Sequence, residues 1–545
     1  MKLFRHLQFL IILCSLVLFT NCDEDEGEIV DAPANNTDGD NTDDGSIDPV
    51  NYTLTLTASE GGTVTPESGS FGENESVELL ATPDSTYVFV NWTGSVSSTD
   101  NPLSITMDED KSITAVFAKT QYNLNINVDG EGTVSEEIIS NGRVEDYDLG
   151  TLVRLTANPS DGWDFVKWTG DFVSHKSEIE ISIDQDISLT AEFTNLQSSF
   201  QYEKSLLLNG LGIVWGIEML DSARLIFTEK TGQIYLHDQV GMHQIEGFPS
   251  EDVNSSGQGG LLDIKRHPNY INNGWIYTCF SKKNDSSDMS TLALARFQLN
   301  EYNIADIEII FETSSLSTRD GHFGSRISFD SEYLYLSIGE GSPSIGGPTT
   351  PYDNAQNLNN EWGKIHRIYD DGTTPQSNPI FNENSPTSLF SIGHRNPQGL
   401  TYNPYLNEMY SSEHGPQGGD EINIIKSGLN YGWPNVSFGI NYDGSDISGQ
   451  SHEGYEQPVF YWDPSIATSD LIFLKDKRHG SWFKNLLVAG LKTGGIHRLK
   501  ISDDKTTEEL EFIPIGERVR DICEGLNGVF YISTDVGQIY QFTPK

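Results

Sequence analysis

Between Gly393 and Pro434 the chain reads GHRNPQGL and then, from Ser411, SSEHGPQGGDEINIIKSGLNYGWP. So much Gly, Pro, Asn and charge excludes a helix and predicts tight turns between short strands. His394, Arg395 and Asn396 stand together before Pro397, which biases Asn396 towards an extended backbone and so fixes where these side chains point. In Glu413-His414-Gly415-Pro416 the glycine permits unusual dihedrals and the proline lacks an N–H, so carbonyl oxygens can turn towards a hard cation such as calcium. Other polar clusters stand at the ends of strand-like runs: Gln258 in GQGGLLD, His322 in DGHFGSR, Lys492 in GLKTGG, and Arg518 and Arg520 in ERVRD. Histidine suits general-base work near neutral pH. Several cations converging on one pocket call for a polyanion, and a small tricarboxylate cofactor meets that need. Taken singly, each residue reads more simply: a satisfied arginine in a turn, a structural histidine, a turn glutamine.

The elements that must bring these residues together are short strands. From Val214 to Thr543, runs such as Val214 to Leu220, Arg224 to Glu229, Gly274 to Ser281 and Tyr333 to Ile338 alternate with turns. That spacing predicts a β-propeller, whose blade-edge loops on one face converge on a central channel.

The order of these motifs over residues 199 to 545 resembles the pyrroloquinoline quinone (PQQ) dependent glucose/sorbosone dehydrogenase family, the aldose sugar dehydrogenases in particular. The resemblance implies six blades. It implies that Gln258, His322, Arg395, Asn396, Lys492, Arg518 and Arg520 touch the quinone or act in the reaction, and that the carbonyls of Gly415 and Pro416 hold its calcium. His322 is then the general base on the anomeric hydroxyl of an aldose, hydride passes to PQQ, and Arg395 with the calcium stabilises the charge that develops. Lys492, Arg518 and Arg520 grip carboxylates, and Glu421, through its carboxylate, and Tyr431, through its carbonyl, match a second, structural calcium site. Two positions depart from the family pattern. Glu340 stands where an aspartate usually orients the histidine, with a longer side chain able to shift it, and Asp470 replaces a small residue close to the cofactor, where it would trim the pocket or change its charge.

Composition sets the wider frame. The 545 residues are enough for two to four domains, and 51 glycines with 22 prolines favour a turn-rich, all-β chain. A net charge of −47 argues against a nucleic-acid partner, whose phosphates need a positive surface. Four cysteines show no metal-ligand spacing, and Cys279 and Cys523 read as buried thiols.

Met1 to Cys22 has a secretory layout: Lys2 and Arg5, an apolar run from Leu7 to Phe19, and a terminal cysteine. It resembles a lipoprotein signal, with Asn21 in place of the usual small residue, and implies a lipid on Cys22 and an outer-membrane lipoprotein exposed at the cell surface. Asp23 to Val50 carries 11 acidic residues and no basic ones, a self-repelling spacer. Two repeats follow, over 51–119 and 120–196, with Trp92 and Trp168, and Phe117 and Phe193, each offset by 76. They resemble divergent InlB B-type repeats of bacterial surface proteins, and their tryptophans read as core anchors. The expected fold is thus all-β, a six-bladed propeller preceded by two small β-rich repeat domains. Two functions compete: a surface-tethered PQQ-dependent aldose dehydrogenase passing electrons to an unidentified acceptor, and a non-catalytic propeller that binds glycans or a protein partner. Intact Arg395, Lys492, Arg518 and Arg520 favour the first.

Overall fold

The computed structural model describes residues 49–140, 147–284, 287–317, 320–341, 353–447 and 453–545. The secretory run, Cys22 and nearly all of the acidic spacer lie outside the described residues.

Six four-stranded antiparallel sheets follow one another from Tyr202 to Pro544. Blade 1 opens with Val214–Met219, blade 2 with Leu261–Arg266, blade 3 with Gly324–Phe329, blade 4 with Pro397–Asn403, blade 5 with Thr468–Phe473 and blade 6 with Val519–Glu524. These six opening strands pack against one another around the central channel. Most of their residues are buried, polar ones included, because neighbouring blades cover both faces. Blade 6 is closed by the most N-terminal propeller strand, Tyr202–Leu208, which pairs antiparallel with Ile539–Pro544. A ring shut by its two ends leaves no wide gap through which the sheet edges could separate.

Every opening strand carries a register shift near its start, between Val214 and Ile217, Leu261 and Ile264, Gly324 and Ile327, Pro397 and Gly399, Thr468 and Leu471, and Val519 and Asp521. A bulge re-aims side chains that regular alternation would send elsewhere. The residues released at these bulges include Trp215, Asp263, Arg326, Gln398, Asp470 and Arg520, and they plug the channel. Arg326 Nη1 donates to Asp263 Oδ1 at 2.9 Å and Asp521 Oδ1 at 2.8 Å, its Nε lies 3.1 Å from Asp470 Oδ1, and its guanidinium carbon sits 4.7 Å from the Trp215 ring centroid. Three carboxylates around one arginine are in excess. Burial, then the neighbouring acid charge working against Arg326, pushes Asp263 up to about 6. Asp470, expected at the cofactor, therefore serves this buried cluster. Its carboxylate is turned towards Arg326, and it lines a cavity at the opposite mouth of the channel.

Each repeat folds as a small β-domain in which the first and last long strands pair in parallel, Asn51–Ala58 with Lys111–Lys119 and Leu124–Asp129 with Ile187–Asn195. Trp92 and Trp168 are fully buried, and their indole N–H groups donate to Asp100 O and Lys176 O at 2.9 and 3.0 Å, so they are core anchors. The first repeat forms one compact unit, and the second repeat packs with the propeller in another. Thr194 Oγ1 donates to Lys477 O at 2.6 Å, and Lys484 pairs with Asp164 at 2.8 Å. Cys279 and Cys523 are free and buried.

Candidate active site

The residues singled out from sequence gather at the end of the ring where the opening strands begin, on loops of blades 2 to 6. Gln258 lies three residues before blade 2, His322 two before blade 3, Arg395 and Asn396 directly before blade 4, and Arg518 directly before blade 6. Gly415 and Pro416 follow the second strand of blade 4, and Lys492 occupies the turn between Leu486–Gly490 and Gly495–Ile501 in blade 5.

They do not share one chamber. Gln258, Arg518 and Arg520 line a cavity of about 190 Å³ together with Trp215 and Lys230. Gly415, Pro416 and Lys492 line a second, and Arg395, Glu421 and Tyr431 a small third. His414 is common to all three. His322 and Asn396 are buried just behind these walls.

His322 is held from several sides. Its backbone has φ +53°, a conformation L-residues avoid and one that tends to mark functional positions. Gln258 Oε1 accepts its N–H at 2.9 Å, and its carbonyl accepts Gly341 N–H at 3.1 Å. Gly339 must lack a side chain here, since a Cβ would lie 2.1 Å from His322 O. On the ring, Nδ1 is 2.9 Å from Glu340 Oε1, and the other oxygen of Glu340 accepts Trp433 Nε1–H at 2.6 Å. The longer Glu340 thus reaches the histidine. With Nδ1–H given to a carboxylate, Nε2 keeps the lone pair. Burial, then the charge of Arg395, holds the imidazole well below its ordinary 6.5, so the ring is neutral at pH 7.

Arg395 is buried without an ion-pair partner among the described residues. Its Nη1 donates to His414 O at 3.2 Å, its Nη2 reaches Tyr442 Oη at 3.4 Å, and its Nε has no partner. Asn396 Nδ2 and His414 Nε2 are likewise buried and unpartnered. A buried guanidinium answered by neutral groups alone is costly, and three orphaned polar atoms in one place suit an anionic, acceptor-rich ligand. Arg520 and Arg518 differ. Asp535 takes Arg520 Nε and Nη2 at 2.9 and 3.0 Å and Arg518 Nε at 2.7 Å, while Gln398 takes Arg520 Nη1 at 2.9 Å. The arginine forks expected to be open for carboxylates are thus largely occupied, and the half-exposed Arg518 keeps its two terminal nitrogens.

Among the described residues neither Gly415 O nor Pro416 O accepts a hydrogen bond. Glu413 is buried, Glu421 half-buried, and the two share Asn423 Nδ2 at 2.9 and 3.1 Å. Burial, then the Glu413 charge, pushes Glu421 up to about 8. Two carboxylates that repel each other in one place suit a cation beside them. Lys230, His414, Trp215, Trp433 and Tyr442 were not singled out as site residues from the sequence. Only His414 and Trp433, inside the Gly393 to Pro434 stretch, carried a signal.

The family model for glucose/sorbosone dehydrogenases matches residues 211–541. The chain belongs to that family. Divergent InlB B-repeat domains match 52–121 and 122–197. Aldose sugar dehydrogenase YliI of Escherichia coli is 34% identical over 344 residues, which span 61% of this chain and 90% of that one. Quinoprotein glucose dehydrogenase B of Acinetobacter calcoaceticus is 26% identical over 438 residues, 66% of this chain and 90% of its own. The crystal structure of the soluble aldose sugar dehydrogenase of Escherichia coli in the apo-form superposes with a TM-score of 0.59 at 31% identity, covering 63% of this chain and all of that one. Family and relatives together support an oxidoreductase that acts on sugars.

Proposed function

We propose that this chain is a PQQ-dependent dehydrogenase that oxidises aldoses to lactones, tethered to the outer membrane through a lipid on Cys22 and exposed at the cell surface. One observation carries the enzymatic part: Arg395, buried and without a carboxylate, stands by orphaned Asn396 and His414 beside a neutral histidine with a free Nε2. A pure binding module has no need of that pairing. A quinoprotein among the relatives supports the choice of cofactor.

Gln258, Arg395, Asn396, Lys492 and Arg518, with Arg520 behind them, would hold PQQ, and the carbonyls of Gly415 and Pro416 its calcium. When bound, PQQ accepts the hydride that leaves C1 of the sugar. The protein supplies the rest. Gln258 fixes the backbone of His322, Glu340 fixes its tautomer, and Nε2 takes the proton of the anomeric hydroxyl while the C1–O bond becomes the lactone carbonyl. Arg395 places fixed positive charge where negative charge grows.

The test is to add PQQ and calcium to the purified protein and follow bleaching of an artificial electron acceptor with a panel of aldoses. Bleaching that requires both PQQ and sugar is the expected result. No PQQ binding would hand the case to the non-catalytic, glycan- or protein-binding propeller. Mass spectrometry of the mature N-terminus tests the anchor, and an unlipidated start away from Cys22 would end that part.

A further inference from the structure

Trp433 touches both halves of the candidate site. Its Nε1–H donates to Glu340 Oε2 at 2.6 Å, while Glu340 Oε1 meets His322 Nδ1 at 2.9 Å. Its ring centroid lies 5.1 Å from the guanidinium carbon of Arg395. The indole is itself fixed by the backbone, since Trp433 N–H donates to Gly393 O at 3.0 Å and Trp433 O accepts Gln356 Nε2 at 2.6 Å. A rigid, buried ring therefore links the carboxylate that orients the base to Arg395, which has no ion-pair partner among the described residues.

We propose that Trp433 is a positioning residue for the sugar oxidation, acting through Glu340 on the tautomer and aim of His322 and through its ring face on Arg395. This rests on His322 being the base. A carboxylate held at one oxygen by an indole N–H cannot turn about its last torsion, so its other oxygen stays on Nδ1 and Nε2 keeps the lone pair. Facing the π-cloud, Arg395 gains attraction without forming an ion pair that would compete with an incoming anion.

The two roles separate by substitution. Trp433→Phe keeps a ring near Arg395 and removes only the donor, whereas Trp433→Leu removes both. For Trp433→Phe, PQQ affinity should stay within about threefold of the parent while kcat falls about tenfold to a hundredfold, the usual effect of losing a partner that orients a functional histidine. Trp433→Leu should lose affinity as well. In a His322→Gln background Trp433→Phe should lower kcat no further, because the residue it acts through is gone. A readout free of turnover is the ¹⁵N spectrum of the imidazoles in the apo-protein, with the His322 signals assigned by their loss in His322→Gln. The parent should show a lone pair on Nε2 alone, and Trp433→Phe a mixture of tautomers.

Unchanged tautomer and kcat in Trp433→Phe beside an active parent would overturn this inference alone. So would a further fall in kcat in the His322→Gln background, which marks a merely structural role. A parent that binds no PQQ would overturn the functional reading and this inference with it.

Discussion

A neutral imidazole whose Nδ1 is engaged by a carboxylate has one nitrogen left to take a proton, and His322 is in that state at pH 7. The base form exists above the folded-state pKa, and burial with the Arg395 charge has moved that value well below 6.5. Activity should therefore persist as pH falls past 6.5 and fail only lower. A kcat/KM profile between pH 4 and 8 checks this, and an acid limb centred at or above 6.5 would contradict it. His322→Gln should bind PQQ as the parent does while turnover falls by about 10² to 10⁴, the usual share of a general base. Arg518→Ala should do the reverse. The half-exposed arginine already shares Asp535, so its removal should weaken PQQ by about tenfold, with turnover restored at saturating cofactor. Cofactor titration beside dye reduction separates the pair, and a His322→Gln protein at parental turnover would remove the base assignment.

At the scale of elements, Gln258, His322, Arg395, Asn396 and Arg518 were legible because each occupies the turn that feeds an opening strand, where Gly and Pro interrupt the apolar pattern. The channel plug was not. Its members are brought out by bulges, which move a side chain to the other face without changing the sequence pattern. Arg326 meets Asp263 and Asp521, which are 63 and 195 residues away, so no local reading joins them. Asp470 was placed near the cofactor by the family resemblance, whereas the bulge in its strand turns its carboxylate towards Arg326. The cluster makes a prediction that single contacts do not. Arg326→Met would leave three buried carboxylates with no arginine among them, a loss of about 3 to 5 kcal/mol, as when one partner of a buried pair is removed. Asp470→Asn removes a charge already in excess and keeps an acceptor for Ile522 N–H, so it should change stability by about 1 kcal/mol or less. Urea unfolding of the two variants tests the contrast, and equal losses would show that the excess of acid is unimportant.

The whole molecule turns on how the ring is closed. Blade 6 takes its outermost strand from the far end of the propeller sequence, since Tyr202–Leu208 pairs with Ile539–Pro544. That strand sets where a truncation can fall. The second repeat is tied to the propeller by Lys484–Asp164 and Lys477–Asp129 ion pairs and the Thr194 hydrogen bond. Surface ion pairs contribute about 0 to 1 kcal/mol each, so a 199–545 fragment should fold with a Tm within about 5 °C of a 120–545 chain. Starting at residue 210 is different. It removes the closing strand, exposes the Ile539–Pro544 edge and strips Tyr202 from between Trp482 and Phe542, whose ring centroids lie 5.6 and 5.3 Å from its own. The 210–545 fragment should aggregate or melt far below its longer counterpart. Thermal melts and sedimentation of the three chains decide the matter. If the fragments starting at 199 and 210 behave alike, closure by the N-terminal strand is not what holds the ring.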